Sequence, residues 1–293
     1  MPTVTPPEEL AGLLLIHGNG LKSQAVQIAH RQEIIEKWGG IPAGSRVLEL
    51  GCGQGDCTIA IADCVGDNGT VEAIDPAPPG YGSPYTVHEA QKHISSGPLG
   101  PRVTFVHADP LLFLPAEDAV ITEPKYDIAI LAHCLWYFSS PSVISSTLRR
   151  LRAICKRIYI AEWSLSATLP TAQPHVYAVL TQGSLECRKT DTESNVRTVV
   201  SPAAIKELAE KAGLKVVSEA SVTPREGLLD GKWEVDAVSD KDFVGEVEKN
   251  VTNERERAVV FALRDAMLRS LDAAGGRKNV TSMDVWCGVF EKA

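Results

Sequence analysis

Apolar residues along this chain fall into two alternating patterns: short continuous runs, and longer stretches in which they return every three or four positions. The runs are Arg46 to Leu50 (RVLEL), Thr70 to Ile74 (TVEAI), Val103 to His107 (VTFVH), Tyr126 to Ala132 (YDIAILA) and Arg157 to Glu162 (RIYIAE), then Leu214 to Val222 and Met283 to Phe290. Between them lie helical patterns over Asp56 to Cys64, about Thr86 to Ile94, Pro141 to about Ile154, and Ser201 to about Gly213. Alternation of this kind predicts an α/β sheet joined by crossover helices. The unbroken apolar run YDIAILA is that of a strand covered on both faces.

Three segments fall outside the rhythm. Residues 1–40 contain an amphipathic helix from about Lys22 to Trp38, stopped by Gly39-Gly40, and read as an N-terminal helical cap. Residues 164–200 are polar and mixed, and residues 223–281 hold a single long helical pattern from about Val244 to Ala274. Both are expected to be cap insertions that carry the substrate side, since long connections in compact domains are usually functional. The simplest organisation is one domain over 1–293 with these additions.

Composition narrows the partners. A net charge of −8 with no dense Lys/Arg cluster argues against a nucleic-acid partner. The polar, Pro-containing stretch Met1 to Leu10 is no secretory signal, and Leu13 to Ile16 is too short to span a bilayer, so no membrane partner is expected. Seven cysteines with no Cys-x-x-Cys pair suggest reduced thiols and a cytoplasmic location. The histidines are scattered, and no metal site can be assembled from them.

The chemistry concentrates at three strand ends. Glu49-Leu50-Gly51-Cys52-Gly53-Gln54-Gly55 follows the first strand and precedes a helix, so the glycines permit a sharp turn and close backbone approach to a ligand. Asp75-Pro76 closes the second strand, where a carboxylate can accept both hydroxyls of a ribose. Asp109-Pro110-Leu111 follows the third, beside the place of an adenine in such a cleft. A dinucleotide fingerprint would need glycine at position 56, which is Asp56, and a carboxylate there repels a pyrophosphate.

With these motifs, residues Ile41 to Leu165 resemble the class I S-adenosylmethionine-dependent methyltransferases, particularly the small-molecule type of microbial and fungal metabolism. The resemblance implies a Rossmann-like seven-stranded sheet with an antiparallel last strand, and S-adenosylmethionine as cofactor. It also implies cofactor-binding roles for Glu49, Gly51, Cys52, Gly53, Gly55, Asp75, Pro76, Asp109, Pro110, Leu111 and the backbone at His133. Family members often join strands six and seven by a short hairpin, whereas residues 223–281 intervene here, so acceptor identity is expected to reside in the additions.

The implied activity is methyl transfer to a small-molecule O, N or C acceptor by in-line displacement. A cofactor-binding regulatory or scaffold protein, or a cyclase that keeps the fold, are the alternatives. His133, after the fourth strand, is the candidate general base. His17, in a possible lid, and Trp136, Tyr137 and Trp163 are the candidate substrate contacts. Glu162 is expected to pair with an amine or a neighbouring arginine, and His175 to lie on a surface loop.

Overall fold

The computed structural model describes residues 5–192 and 194–293; residues 1–4 and 193, which belong to the expected caps, lie outside it. Seven strands, β1 (Arg46–Leu50), β2 (Thr70–Asp75), β3 (Val103–His107), β4 (Tyr126–Ala132), β5 (Cys155–Trp163), β6 (Leu214–Val222) and β7 (Val285–Lys292), form one sheet. Their order is β3-β2-β1-β4-β5-β7-β6. β7 runs antiparallel to both neighbours, and the strands from β3 to β5 are parallel. The expected sheet is therefore the observed one. The order reverses between β1 and β4, and in such sheets ligands bind beyond the carboxyl ends of the strands flanking that point.

Eleven α-helices are described: α1 (Pro7–Ala11), α2 (Leu21–Lys37), α3 (Asp56–Val65), α4 (Val87–Ser95), α5 (Pro110–Phe113), α6 (Pro141–Ile154), α7 (Gln173–Glu186), α8 (Pro202–Lys211), α9 (Asp230–Ser239), α10 (Lys241–Asn250) and α11 (Glu254–Ala273). Their starts follow local chemistry. Thr86 and Glu89 form a reciprocal capping box on α4, and Ser140 and Ser201 cap α6 and α8 just before a proline at the first helical position. α2 lays Ile28, His30, Ile34 and Ile35 onto the body of the protein, and Trp38 Nε1 donates to the Ile160 carbonyl at 3.0 Å.

Two expectations need correction. The long helix over 244–274 is divided. Asp240 caps α10 with its carboxylate, α10 ends at Asn250, and Asn253 accepts from the Arg255 and Glu256 amides to start α11 afresh, so the chain turns once where one rod was expected. Residues 164–200 are likewise no mere polar connection, because they contain α7. That helix buries Ala178 and Leu185 against Val235, Val238, Val247, Val260 and Met267 of α9–α11, which makes a second apolar core beside the sheet. The helical period of α7 is masked in the sequence because polar His175 and Thr181 also face inward.

Met267 is fully buried in that second core. Met267→Ala should lower stability by about 2–3 kcal/mol, the cost of lost transfer plus a residual cavity. Urea unfolding of the two proteins measures this, and an unchanged midpoint would show that the cap core does not contribute to the cooperative unit.

Candidate active site

The glycine turn after β1 is held by backbone geometry that side chains would obstruct. Gly51 has φ +77°, and a Cβ there would lie 2.5 Å from the Cys134 Cβ. Gly53 differs: nothing lies within 4 Å of where its Cβ would be, so its backbone faces open space. Asp75 ties the turn to the end of β2, its Oδ2 accepting from the Gly53 amide at 2.7 Å and its Oδ1 from the Ala77 amide at 2.8 Å. Gln91 on α4 steadies the same turn by donating to the Gly53 carbonyl.

This corner opens into a cavity of about 1010 Å³ beyond the ends of β1, β2 and β4. Gly51, Cys52, Gly53, Asp75 and Pro76 line it, as do Asp109, Pro110 and Leu111, and then Ala132, His133 and Tyr137. Three stretches far apart in sequence are thus brought together as expected. Asp109 Oδ1 accepts from the Leu111 amide at 2.8 Å, which orients that carboxylate at the rim.

Other candidates lie elsewhere. Gly55 does not line the cavity; a Cβ there would meet Ile94 Cδ1 at 2.5 Å, so this glycine serves the packing of α4. Glu49 is buried behind the turn and accepts from Thr58 Oγ1 at 2.6 Å. Trp136 is buried, with Nε1 donating to the Val200 carbonyl, while the adjoining Tyr137 is 48% exposed and faces the cavity. Successive residues of one short turn point in opposite directions, which the run Leu-Trp-Tyr could not reveal. Trp163 is buried behind His133, ring centroids 4.3 Å apart. His17 is exposed in its turn, its ring edge-on to Tyr85, and is not part of the cavity wall.

His175 is fully buried on α7, and its Nδ1 accepts from the Met283 amide at 3.0 Å, so the surface-loop expectation fails. Glu162 is buried too, and has backbone partners in place of an arginine: Leu135 and Trp163 donate to it at 3.0 and 2.9 Å. Its Oε1 stands 3.7 Å from His133 Nδ1.

The sequence missed several wall residues. Arg31 on α2 pairs with Asp56 at the start of α3 at 2.8 Å, and both line the cavity. Burial works against the Arg31 charge, but Asp56 holds its pKa above the ordinary value, and Arg31 in turn keeps Asp56 ionised. Tyr81, Arg197 and Trp233, the last 57% exposed on α9, line the cavity as well. Only α9 offered a signal, a tryptophan in a helical stretch whose two valines, Val235 and Val238, are buried.

Electrostatics divides the buried groups. Burial pushes His30 and His133 well below the ordinary imidazole value and His175 to about 3, so all three rings are neutral. Burial raises both Glu49 and Glu162 to about 7. For Glu49 the folded protein therefore binds the proton more tightly than the unfolded chain, and its stabilising contribution is present in acid and lost as pH rises through about 7. Glu49→Gln should gain on the wild type by about 2–3 kcal/mol between pH 5 and pH 8, read from urea unfolding at both. An equal difference at the two pH values would contradict the buried state of this carboxyl.

Among the described residues there is no cluster of His, Cys, Asp or Glu that could hold a metal, and no helix is long and apolar enough to cross a membrane.

Comparison with known proteins agrees with the geometry. A family profile described as a methyltransferase domain matches residues 26–219. Methyltransferase phomM of Diaporthe leptostromiformis is 29% identical over 289 residues, covering 86% of this chain and 74% of that protein. The crystal structure of a cyclopropane-fatty-acyl-phospholipid synthase-like protein from Lactobacillus casei ATCC 334 superposes with TM-score 0.81 at 28% identity, over 97% of this chain and 98% of the other. The [4+2]-cyclase SpnF superposes at TM-score 0.52 and 16% identity, over 99% and 92% of the two chains, a likeness of fold alone.

Proposed function

This chain belongs to the methyltransferase-domain family and is an S-adenosylmethionine-dependent methyltransferase, and we propose that it methylates a small-molecule acceptor bound between Arg31, Tyr137 and Trp233. The observation that carries this reading is the continuity of one cavity from the glycine turn to α9. At about 1010 Å³ it reaches the top of the range for pockets that hold one drug-sized ligand, so an acceptor has room beside the donor.

The residues present suit the donor. Gly53 offers open backbone, the Asp75 carboxylate at the cavity wall would accept from the ribose hydroxyls, and Asp109 with Pro110 and Leu111 would border the adenine. S-adenosylmethionine supplies an electrophilic methyl group on a sulfonium. The chain's own work is then positioning and exclusion of water. α2 contributes Arg31 and α9 contributes Trp233 to the acceptor side of the cavity, and the Arg31–Asp56 pair ties α2 to the start of α3. His133, neutral and at the cavity wall, is the group on the acceptor side that can take part in moving a proton away.

Calorimetric titration with S-adenosylmethionine and S-adenosylhomocysteine, followed by transfer of labelled methyl groups to a mixture of small metabolites, tests the proposal. Label in a low-molecular-mass product supports it. Label found only on macromolecules, or tighter binding of NAD than of the methyl donor, would overturn it.

A further inference from the structure

Behind His133 lies a buried polar cluster that positioning alone does not explain. It joins His30 of α2, His133 at the end of β4, Glu162 and Trp163 at the end of β5, and His175 of α7. His30 and Glu162 are 2% and 1% exposed, and the His133 side chain 8%. His30 Nε2 lies 3.2 Å from His133 Nε2, and His133 Nδ1 lies 3.7 Å from Glu162 Oε1. His133 holds a left-handed backbone at φ +52°, which is costly for a residue other than glycine and gathers at functional sites. Neither His30 Nδ1 nor His133 Nδ1 has a hydrogen-bond partner among the described residues.

Two neutral imidazoles in contact through Nε2 share one hydrogen, so only two arrangements exist. In the first, His133 carries its proton on Nδ1, facing Glu162, and accepts from His30 Nε2–H; His30 Nδ1 is then a bare lone pair. In the second, His133 carries its proton on Nε2 and donates to His30, whose own proton moves to Nδ1. The second aims a bare His133 Nδ1 at Glu162, which is favourable only when that carboxyl is protonated. The two arrangements therefore differ by one proton gained at His30 Nδ1, one hop along each ring, and one proton delivered to Glu162.

We propose that His30, His133 and Glu162 form a proton relay that takes the proton from an acceptor bearing O–H or N–H at the attacking atom and stores it on the Glu162 carboxyl. This rests on the reading of the cavity as a methyl-transfer site. In the step, the acceptor's bonding pair to hydrogen becomes the new bond to the methyl carbon, and the carbon–sulfur pair stays on sulfur. The released proton reaches His30 Nδ1, which lies behind the cavity wall, through a buried water, His30 passes its Nε2 proton to His133, and His133 passes its Nδ1 proton to Glu162. No imidazolium persists beside the sulfonium. The surrounding groups fit this neutrality: Arg31 and its partner Asp56 face His30 and His133, His175 faces the far side of Trp163, and Cys134 stands near Glu162. A tertiary amine or thioether acceptor, which has no proton to release, would leave the relay idle.

The relay is testable without knowing the acceptor. Histidine-¹⁵N-labelled protein saturated with S-adenosylhomocysteine is followed by long-range ¹H–¹⁵N spectra from about pH 5.5 to about 8.5, with His30→Gln and His133→Asn assigning the signals. Both rings should stay neutral and exchange tautomers together, with a common midpoint near 7. Glu162→Gln should abolish the midpoint; should that variant not fold, the wild-type titration decides alone. One fixed tautomer throughout, an imidazolium on either ring, or a midpoint that survives Glu162→Gln overturns the relay. Binding of S-adenosylhomocysteine in the same samples separates the two readings, since failure to bind overturns the methyl-transfer site itself.

Discussion

Asp75→Ala should lower the affinity for S-adenosylmethionine by about 100- to 1,000-fold, roughly 3–4 kcal/mol, with little loss of global stability. The size follows from what one carboxylate does twice. Toward the proposed ligand it would accept from two ribose hydroxyls, each charge-assisted bond being worth about 1.5–3 kcal/mol and the pair less than additive. Toward the protein it holds the Gly53 and Ala77 amides, so its removal also loosens the turn that carries the open backbone at Gly53. Asp75→Asn retains an acceptor oxygen and should fall between the two. Calorimetric titration of the three proteins measures this, and affinity in the alanine variant within a few-fold of wild type would mean the ribose lies elsewhere.

His133→Asn should slow methyl transfer by about 10²- to 10⁴-fold, the usual contribution of a positioned base. Asparagine is chosen because it tolerates the left-handed backbone at this position, so the loop keeps its course while the imidazole is lost. Donor binding should hold, because the expected donor contact here is backbone. A fall in kcat with KM nearly constant assigns the ring to the chemical step; a raised KM with kcat intact would make it a packing residue. The acceptor for this assay is the unmethylated form of the labelled product found in the metabolite screen.

What could be read in advance divides by range. The strands, the glycine turn and the acidic residues at the ends of β2 and β3 were legible because each depends on a few consecutive residues and on where a parallel strand must stop. The polar heart of the site was not. His30 meets His133 across 103 positions, and Arg31 meets Asp56 across 25. α2 showed its amphipathic period, which puts His30 on the inward face with Ile34 one turn later, yet nothing local says what that face will touch. The aromatic run failed for a different reason. Trp136 and Tyr137 sit in a single-turn helix whose side chains diverge, so composition could place the pair at the strand end but could not say which ring turned inward.

The second core couples segments on either side of β6 and the α8 that precedes it: α7 leaves from β5, while α9–α11 arrive at β7. Its ownership is therefore split, and this shapes how acceptor specificity can be exchanged between relatives. A chimaera that transplanted 223–281 alone would bring Val235, Val260 and Met267 without the α7 residues Ala178 and Leu185 that complete their packing. New specificity must be inherited as two matched pieces grafted together, or acquired by changes at single wall residues such as Trp233, whose exposed ring can be replaced with the fold left intact.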